Sequence, residues 1–290
     1  MSVICELAAA KVNLTLKVLG RRPDGYHQLH SVVAFAALGD GVRLDPSGPR
    51  TLKVRGPFAD QIDGGNLIDA AIAGLLLGGG AGATIGAITL DKNLPVAAGL
   101  GGGSADAAAT LRAIAKANPQ LAGKVDWAQI ARAVGADVSV CLAQRASHVA
   151  GLGEIVSPLA QIPPLPVVLV NPGVRLATAE VFAHLDARRL TDLSGHDDHE
   201  VPPAMATIAD VMDWIGPRAN DLELPARRLA PNIADVLACL DSTSGVLLSR
   251  LSGSGPTCFG LFVSVTEAEA AADTIRSRQP EWWVAASVLS

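Results

Sequence analysis

A chain of 290 residues has room for one large domain or two ordinary ones, and with 49% hydrophobic and 18% charged residues it can build a real core. That balance excludes global disorder. A net charge of −5 excludes a nucleic-acid binder working through bulk positive charge, while leaving a local basic pocket open.

The first 40 residues predict strand, turn, strand. In KVNLTLKVLG, Val12, Leu14, Leu16 and Val18 alternate inward against Asn13, Thr15 and Lys17 outward. RRPDGYH carries a Pro-Asp-Gly turn, HSVVAFAAL is a second strand, and GVRLDP and TLKVRG add short ones. Residues 70–90 are uncharged and long enough to span a bilayer. Six of them are glycine, however, and no aromatic or basic flank anchors them. A helix over about 66–77, a turn at 78–82 and a buried strand over about 84–90 fit better. With no basic stretch ahead of an apolar one at the N-terminus, a soluble, cytoplasmic protein is expected.

An Ala-rich helix is predicted from about Ser104 to Ala117 and another from about Trp127 to Val134. Prolines cluster in QIPPLPVVLVNPG, where a strand starts near Val167, so the expected boundary separates domains 1–160 and 161–290. The second half alternates helices (TAEVFAHL, PPAMATIADVMDWI, PNIADVLACL, EAEAAADTIRSR) with strands (GVLLSR, TCFGLFV, WWVAAS). Residues 186–203 are polar and acidic and are expected to form a mobile loop. The fold class is α+β, with antiparallel sheets backed by helices. Cys5, Cys141, Cys239 and Cys258 are far apart and form no CxxC pair, so buried free thiols in a reducing compartment are expected.

The stretch VAAGLGGGSADAAATL sets Gly99, Gly101, Gly102 and Gly103 directly against a strong helix former. Glycines let the backbone approach an anion, and a helix N-terminus adds free N–H donors and partial positive charge. Ser104 stands where an N-cap belongs, and its hydroxyl can meet phosphate or a magnesium ion. GGGAGAT at 78–84 is equally glycine-rich but lacks the hydroxyl and leads into a strand, so it reads as a plain turn. The loop is not a Walker loop, because no Lys follows the glycines. A dinucleotide fingerprint fails too, since Ser104 takes the third glycine's place. A cation must then come from elsewhere, and Lys11 is the best candidate; its ordinary alternative is a strand-end charge reaching solvent. Asp137, a carboxylate in the apolar run AVGADVSVCL, could orient or deprotonate a hydroxyl, or simply be a cap or turn residue. A second glycine-hydroxyl loop, LSGSGPTCFGLF, favours a ligand shared by the two loops.

Together these motifs resemble the GHMP kinases, the superfamily of galactokinase, homoserine kinase and mevalonate kinase. PVAAGLGGGSADAAATL is similar to its phosphate-loop motif and LSGSGPTCFGLF to its C-terminal glycine motif. AAAKVNLTLKVLGRRPDGYHQLHSV and GADVSVCL resemble, more narrowly, the 4-diphosphocytidyl-2-C-methyl-D-erythritol kinases, with Ala9 where Pro is usual. The resemblance covers residues 8–262. It implies a ribosomal S5 domain 2-like N-terminal domain, a ferredoxin-like C-terminal domain, and ATP-dependent phosphorylation of the 2-hydroxyl of a cytidine-diphosphate-linked methylerythritol in non-mevalonate isoprenoid synthesis.

By the same resemblance, Lys11 and Asp137 are catalytic. Asn66, Lys92, Pro95, Gly99, Leu100, Gly101, Gly102, Gly103 and Ser104 bind ATP, with Ser104 also meeting Mg2+. Asn13, Tyr26, His27, Phe182, Ser254 and Gly255 bind the second substrate, Phe182 stacking on the base. The expected partners are these small molecules, with no nucleic acid and no membrane, in a monomer or homodimer. A different GHMP kinase should lack RRPDGYH, and a non-catalytic nucleotide sensor should lack Lys11 or Asp137; both readings are disfavoured.

Overall fold

A computed structural model describes residues 2–62, 64–185 and 201–290. The loop expected at 186–203 falls almost entirely outside the described residues. The chain divides into two compact units. One comprises Met1–Ala10, Leu38–Val96 and Gly101–Gln144, the other Lys11–Ala37, Ala97–Leu100 and Arg145–Ser290. The division falls inside two long strands, β1 (Ile4–Arg21) and β2 (His27–Asp45), and inside the glycine loop.

In the first unit, the end of β2 pairs antiparallel with β4 (Ala87–Asp91), from Gly41↔Asp91 to Asp45↔Ala87. The run read as a separate strand, GVRLDP, is thus the continuation of β2. β3 (Thr51–Arg55) lies parallel to β4. The α-helices described in this unit are α1 (Leu67–Leu77), α2 (Gly102–Ala117), α3 (Trp127–Val134) and α4 (Ala136–Ala143). α2 packs against both α1 and α4. Its alanines cost no side-chain entropy and let helices approach closely, and Ala105, Ala107, Ala108, Ala109, Leu111 and Ile114 are all buried. Arg112 ties α2 to its neighbours, donating to Glu6 at 2.9 Å and to the carbonyl of Cys141 at 2.8 Å.

The second unit has β7 (Leu165–Asn171) between β10 (Trp283–Leu289) and β9 (Cys258–Leu261), all antiparallel, with β8 (Leu248–Leu251) beyond β9. β5 (Ser147–Gly151) pairs with the start of β2, and β6 (Ile155–Pro158) with β5. Its helices are α5 (Thr178–Ala183), α6 (Ile208–Ile215), α7 (Glu223–Leu229), α8 (Asn232–Asp241) and α9 (Val265–Arg278). Val168, Val170, Ile233, Val236, Leu240, Phe262, Ala272 and Ile275 lie in its core. α6 starts later than PPAMATIADVMDWI suggested. Thr207 and Asp210 form a reciprocal capping box that fixes its first turn.

The alternation in residues 11–20 predicts Asn13 and Thr15 on a solvent face, yet both are buried. A side-chain network replaces water there. Asn13 Nδ2 donates to Ser31 Oγ at 2.8 Å, Ser31 Oγ donates to the Thr15 carbonyl at 2.5 Å, and Thr15 Oγ1 accepts from Val32 N at 3.1 Å. Of the four free thiols expected to be buried, Cys5 is exposed and Cys239 is only partly covered. Among the described residues, no helix is long and apolar enough to cross a membrane.

Candidate active site

The glycine loop starts α2, but not where the hydroxyl suggested. Gly101, at φ +64°, is the N-cap and the helix begins at Gly102. Ser104 therefore sits in the first turn. The N–H groups of that turn have no acceptor within the helix, which leaves donors for an anion. A side chain on Gly103 would meet only Leu67 Cδ1, at 3.6 Å, so the outer face of this turn is open.

Beneath the turn lies a buried ion triad. Lys92 Nζ donates to Asp40 Oδ2 at 2.5 Å and to Asp106 Oδ2 at 2.9 Å, and all three residues are almost fully buried. A side chain on Gly102 would lie 3.1 Å from Lys92 Nζ. Asp40 Oδ1 also accepts the backbone N–H groups of Asn93 and Leu94. Two carboxylates share one ammonium. Burial and the neighbouring Asp40 charge outweigh the attraction of Lys92, and the Asp106 carboxyl is pushed up to about 7. For Lys92, burial lowers the affinity for its proton, but Asp106 and Asp40 more than offset that and hold the ammonium charged. Lys92 thus directs its charge at protein carboxylates, which the expected role at the nucleotide did not foresee. Neither Asp40 nor Asp106 was singled out from the sequence; the signal for Asp106 was a lone carboxylate in an alanine run.

Asn66 caps α1, its side chain accepting from Ile68 N at 2.9 Å. Asp137 follows α3 in its apolar run, as expected, and is half-buried in the first turn of a further helix, α4, where the helix dipole favours a negative charge. Pro95 and Leu100 are buried.

In the second unit, the arm Ala97–Leu100 is held from two sides. Lys11 N donates to the Leu100 carbonyl at 2.9 Å, and Thr257 N to the Ala98 carbonyl at 3.1 Å. Ser252 Oγ donates to the Gly99 carbonyl at 3.0 Å and accepts from Asn13 N at 3.2 Å. Gly99 has φ +74°, and a side chain there would lie 2.4 Å from the Ser252 carbonyl. Gly253 would likewise meet the Gly99 carbonyl, at 3.1 Å. These two glycines are required by the packing of one loop on the other, whatever ligand the loops share. Lys11 itself is buried, its ammonium 3.0 Å from Asn13 Oδ1.

The residues expected at a cytidine base divide. His27 stacks on Phe182, ring centroids 4.9 Å apart and planes 27° from parallel. Burial, with a smaller contribution from Arg21, lowers the pKa of His27, which favours the neutral ring. Tyr26 is 66% exposed, in a turn where its N–H meets Asp24 and Arg22 N donates to its carbonyl. Ser254 shares a 2.8 Å hydrogen bond with Thr178, which has no functional signal in the sequence. Gly255, at φ +81°, packs against Leu251.

Residues 66–145 match the family model for the GHMP kinases N terminal domain, and residues 203–281 that for the GHMP kinases C terminal. A protein of Dinoroseobacter shibae named 4-diphosphocytidyl-2-C-methyl-D-erythritol kinase is 47% identical over 99% of this chain and 95% of its own length. One of the same name from Bradyrhizobium diazoefficiens is 47% identical over 100% of this chain and 99% of its own. This chain belongs to the 4-diphosphocytidyl-2-C-methyl-D-erythritol kinase family. A crystal structure of a 4-(cytidine 5'-diphospho)-2C-methyl-D-erythritol kinase is 31% identical, covers 99% of both chains and superposes with a TM-score of 0.75. A mevalonate kinase of L. major, at 13% identity and a TM-score of 0.66, shares the fold. The expected α+β GHMP kinase fold and the narrower family therefore both hold, and ATP is the phosphate donor of this superfamily.

Among the described residues, no three His, Cys, Asp or Glu side chains gather as a metal site. Magnesium at a kinase needs few protein ligands, since it keeps waters and takes phosphate oxygens. The Ser104 hydroxyl in the open first turn of α2 suits that requirement. Asp106 Oδ1, buried and without a hydrogen-bond partner two residues on, adds a hard oxygen near the same turn.

Proposed function

We propose that this protein transfers the γ-phosphoryl group of ATP to the 2-hydroxyl of 4-diphosphocytidyl-2-C-methyl-D-erythritol, in non-mevalonate isoprenoid synthesis. The observation that carries the choice of substrate, beyond family membership, is the stacked pair His27–Phe182. A flat, half-buried ring surface beside a neutral imidazole offers a cytosine both a face and a hydrogen-bonding edge.

Phosphoryl transfer asks a protein mainly for positioning and charge neutralisation. In this reading, the first-turn N–H groups of α2 cradle the phosphates, with Gly103 leaving the backbone open to them. Ser104 holds magnesium, which neutralises phosphate charge when bound. Asn66 and the loop from Pro95 to Ser104 complete the nucleotide side, with Lys92 supporting the turn from below. Asp137 orients or deprotonates the acceptor hydroxyl, and Lys11 supplies a cation to the transfer. Asn13, Tyr26, His27, Phe182, Ser254 and Gly255 hold the acceptor. The functional domains proposed are residues 1–160 and 161–290.

The test is an ATP-consumption assay across candidate alcohols. Turnover is expected with the cytidylyl substrate and not with mevalonate, homoserine or galactose. CDP or CMP should compete with the alcohol. Equal use of free methylerythritol phosphate would overturn recognition through the base.

A further inference from the structure

Asn220 lies in the segment Ala219–Asp221, outside every helix and outside the paired strands. The segment nonetheless runs beside β1 like a one-residue strand. Leu16 N donates to the Ala219 carbonyl at 3.1 Å, Asp221 N donates to the Leu16 carbonyl at 2.8 Å, and Leu16 and Asn220 form a parallel bridge. Asp221 Oδ2 accepts from Val18 N at 2.8 Å, extending the attachment along β1. This is the strand that carries Lys11 and Asn13.

The Asn220 side chain points the other way, into the second glycine loop. Its Nδ2 donates to the Leu251 carbonyl at 2.9 Å and to the Gly253 carbonyl at 2.7 Å, while its Oδ1 accepts from Leu222 N at 2.9 Å. The residue is 4% exposed. Those two carbonyls flank Ser252. Ser252 in turn accepts from Asn13 N and donates to the Gly99 carbonyl. A carboxamide is the one small neutral side chain with two N–H donors for a pair of carbonyls and an acceptor left over. Within the loop, Ser252 N donates to the Thr257 carbonyl and Gly255 N to the Ser252 carbonyl, both at 2.9 Å, while the carbonyl of Gly253, at φ +55°, is held by Asn220.

We infer that Asn220 is a positioning residue of the kinase: it fixes the loop 252–255 and, through Ser252, sets the places of Asn13 and of the Gly99 arm of the phosphate loop. This rests on the function proposed above. Asn220 touches no reacting group, so its effect is on the geometry of bound substrates. A displacement of about 1 Å at such a site can cost on the order of 100-fold in rate.

Asn220→Asp separates this role from simple capping. It keeps an oxygen for Leu222 N, removes both N–H donors and turns a carboxylate oxygen toward the Leu251 and Gly253 carbonyls. Steady-state kinetics with ATP and the cytidylyl alcohol should show kcat reduced by roughly 10- to 100-fold with both KM values little changed. Ser252→Ala should lower kcat as well. The double variant should lose little more than the worse single one, because both act through one loop. Native kcat in a folded Asn220→Asp protein, or losses that multiply in the double variant, would overturn the inference. If Asn220→Asp does not fold, Ser252→Ala decides alone, and native kcat there overturns it. Failure of the unaltered protein to turn over the cytidylyl alcohol would instead defeat the proposed function.

Discussion

At the scale of single residues, the triad of Lys92, Asp40 and Asp106 is the most demanding arrangement in the protein. Buried charges are tolerated only when paired, and removing one partner strands the rest. Lys92→Ala leaves two carboxylates without their cation and should cost about 3–5 kcal/mol in urea denaturation. Asp106→Asn keeps an oxygen for Lys92, removes the repulsion from Asp40 and should cost far less. A Lys92→Ala protein as stable as the parent would show that the triad is not a support.

His27 gives a second prediction of this kind. Its folded pKa lies below the ordinary 6.5, through burial and then Arg21. As pH falls below 6.5, the unfolded chain gains a proton that the folded one resists. The stabilisation from His27 is therefore present above 6.5 and lost as pH falls through the folded pKa. An NMR titration of the ring should place its midpoint below 6.5, and Arg21→Gln should move it upward. A midpoint indifferent to Arg21 would leave burial as the sole cause.

Among the elements, α2 carries the clearest distinction between structure and ligand. Gly99 cannot become Ala, because its φ is positive and the Ser252 carbonyl fills the space. Gly103 can, since its side-chain position is open and it lies within the helix. Ala is the better helix former there, so Gly103→Ala should raise stability by about 0.5–1 kcal/mol. If phosphate approaches that backbone, the same change should weaken ATP binding. Calorimetry with the folded variant reads both effects, and unchanged ATP affinity would remove Gly103 from the phosphate site. The two glycines look alike in the motif. Only the approach of the Ser252–Gly255 loop to one of them tells them apart.

For the molecule as a whole, the first question is whether Asp137 does chemistry. Its place in the first turn of α4 is comfortable for a carboxylate whatever its function. Asp137→Asn should therefore fold, melt close to the parent and bind ATP, but lose most turnover. Near-native turnover would exclude the catalytic role, and loss of folding would point to a structural one.

Much of the fold was legible because its signals are local. The Ala-rich run, the Pro-Asp-Gly turn and the helix read over Trp127–Val134 each correspond to an element that forms. The glycine-hydroxyl motifs and RRPDGYH carried the family for the same reason: turn chemistry and backbone approach leave a mark within a few residues. What the chain order could not show is which partners meet across long separations. Asn13 and Thr15 alternate like solvent-facing residues, but the Ser31 hydroxyl and the Val32 N–H meet their side chains, and that face is buried. Nothing near Lys92 in the chain shows that Asp40 and Asp106, 52 and 14 residues away, hold its ammonium. Asn220 has no local signature at all, since its work is done on a loop some 30 residues later. The sequence by itself determined most of the element types, the glycine loop that opens α2 and the kinase family. The tertiary structure decided which charged and polar groups face a ligand and which hold the protein together, because burial and pairing depend on the residues that folding brings alongside.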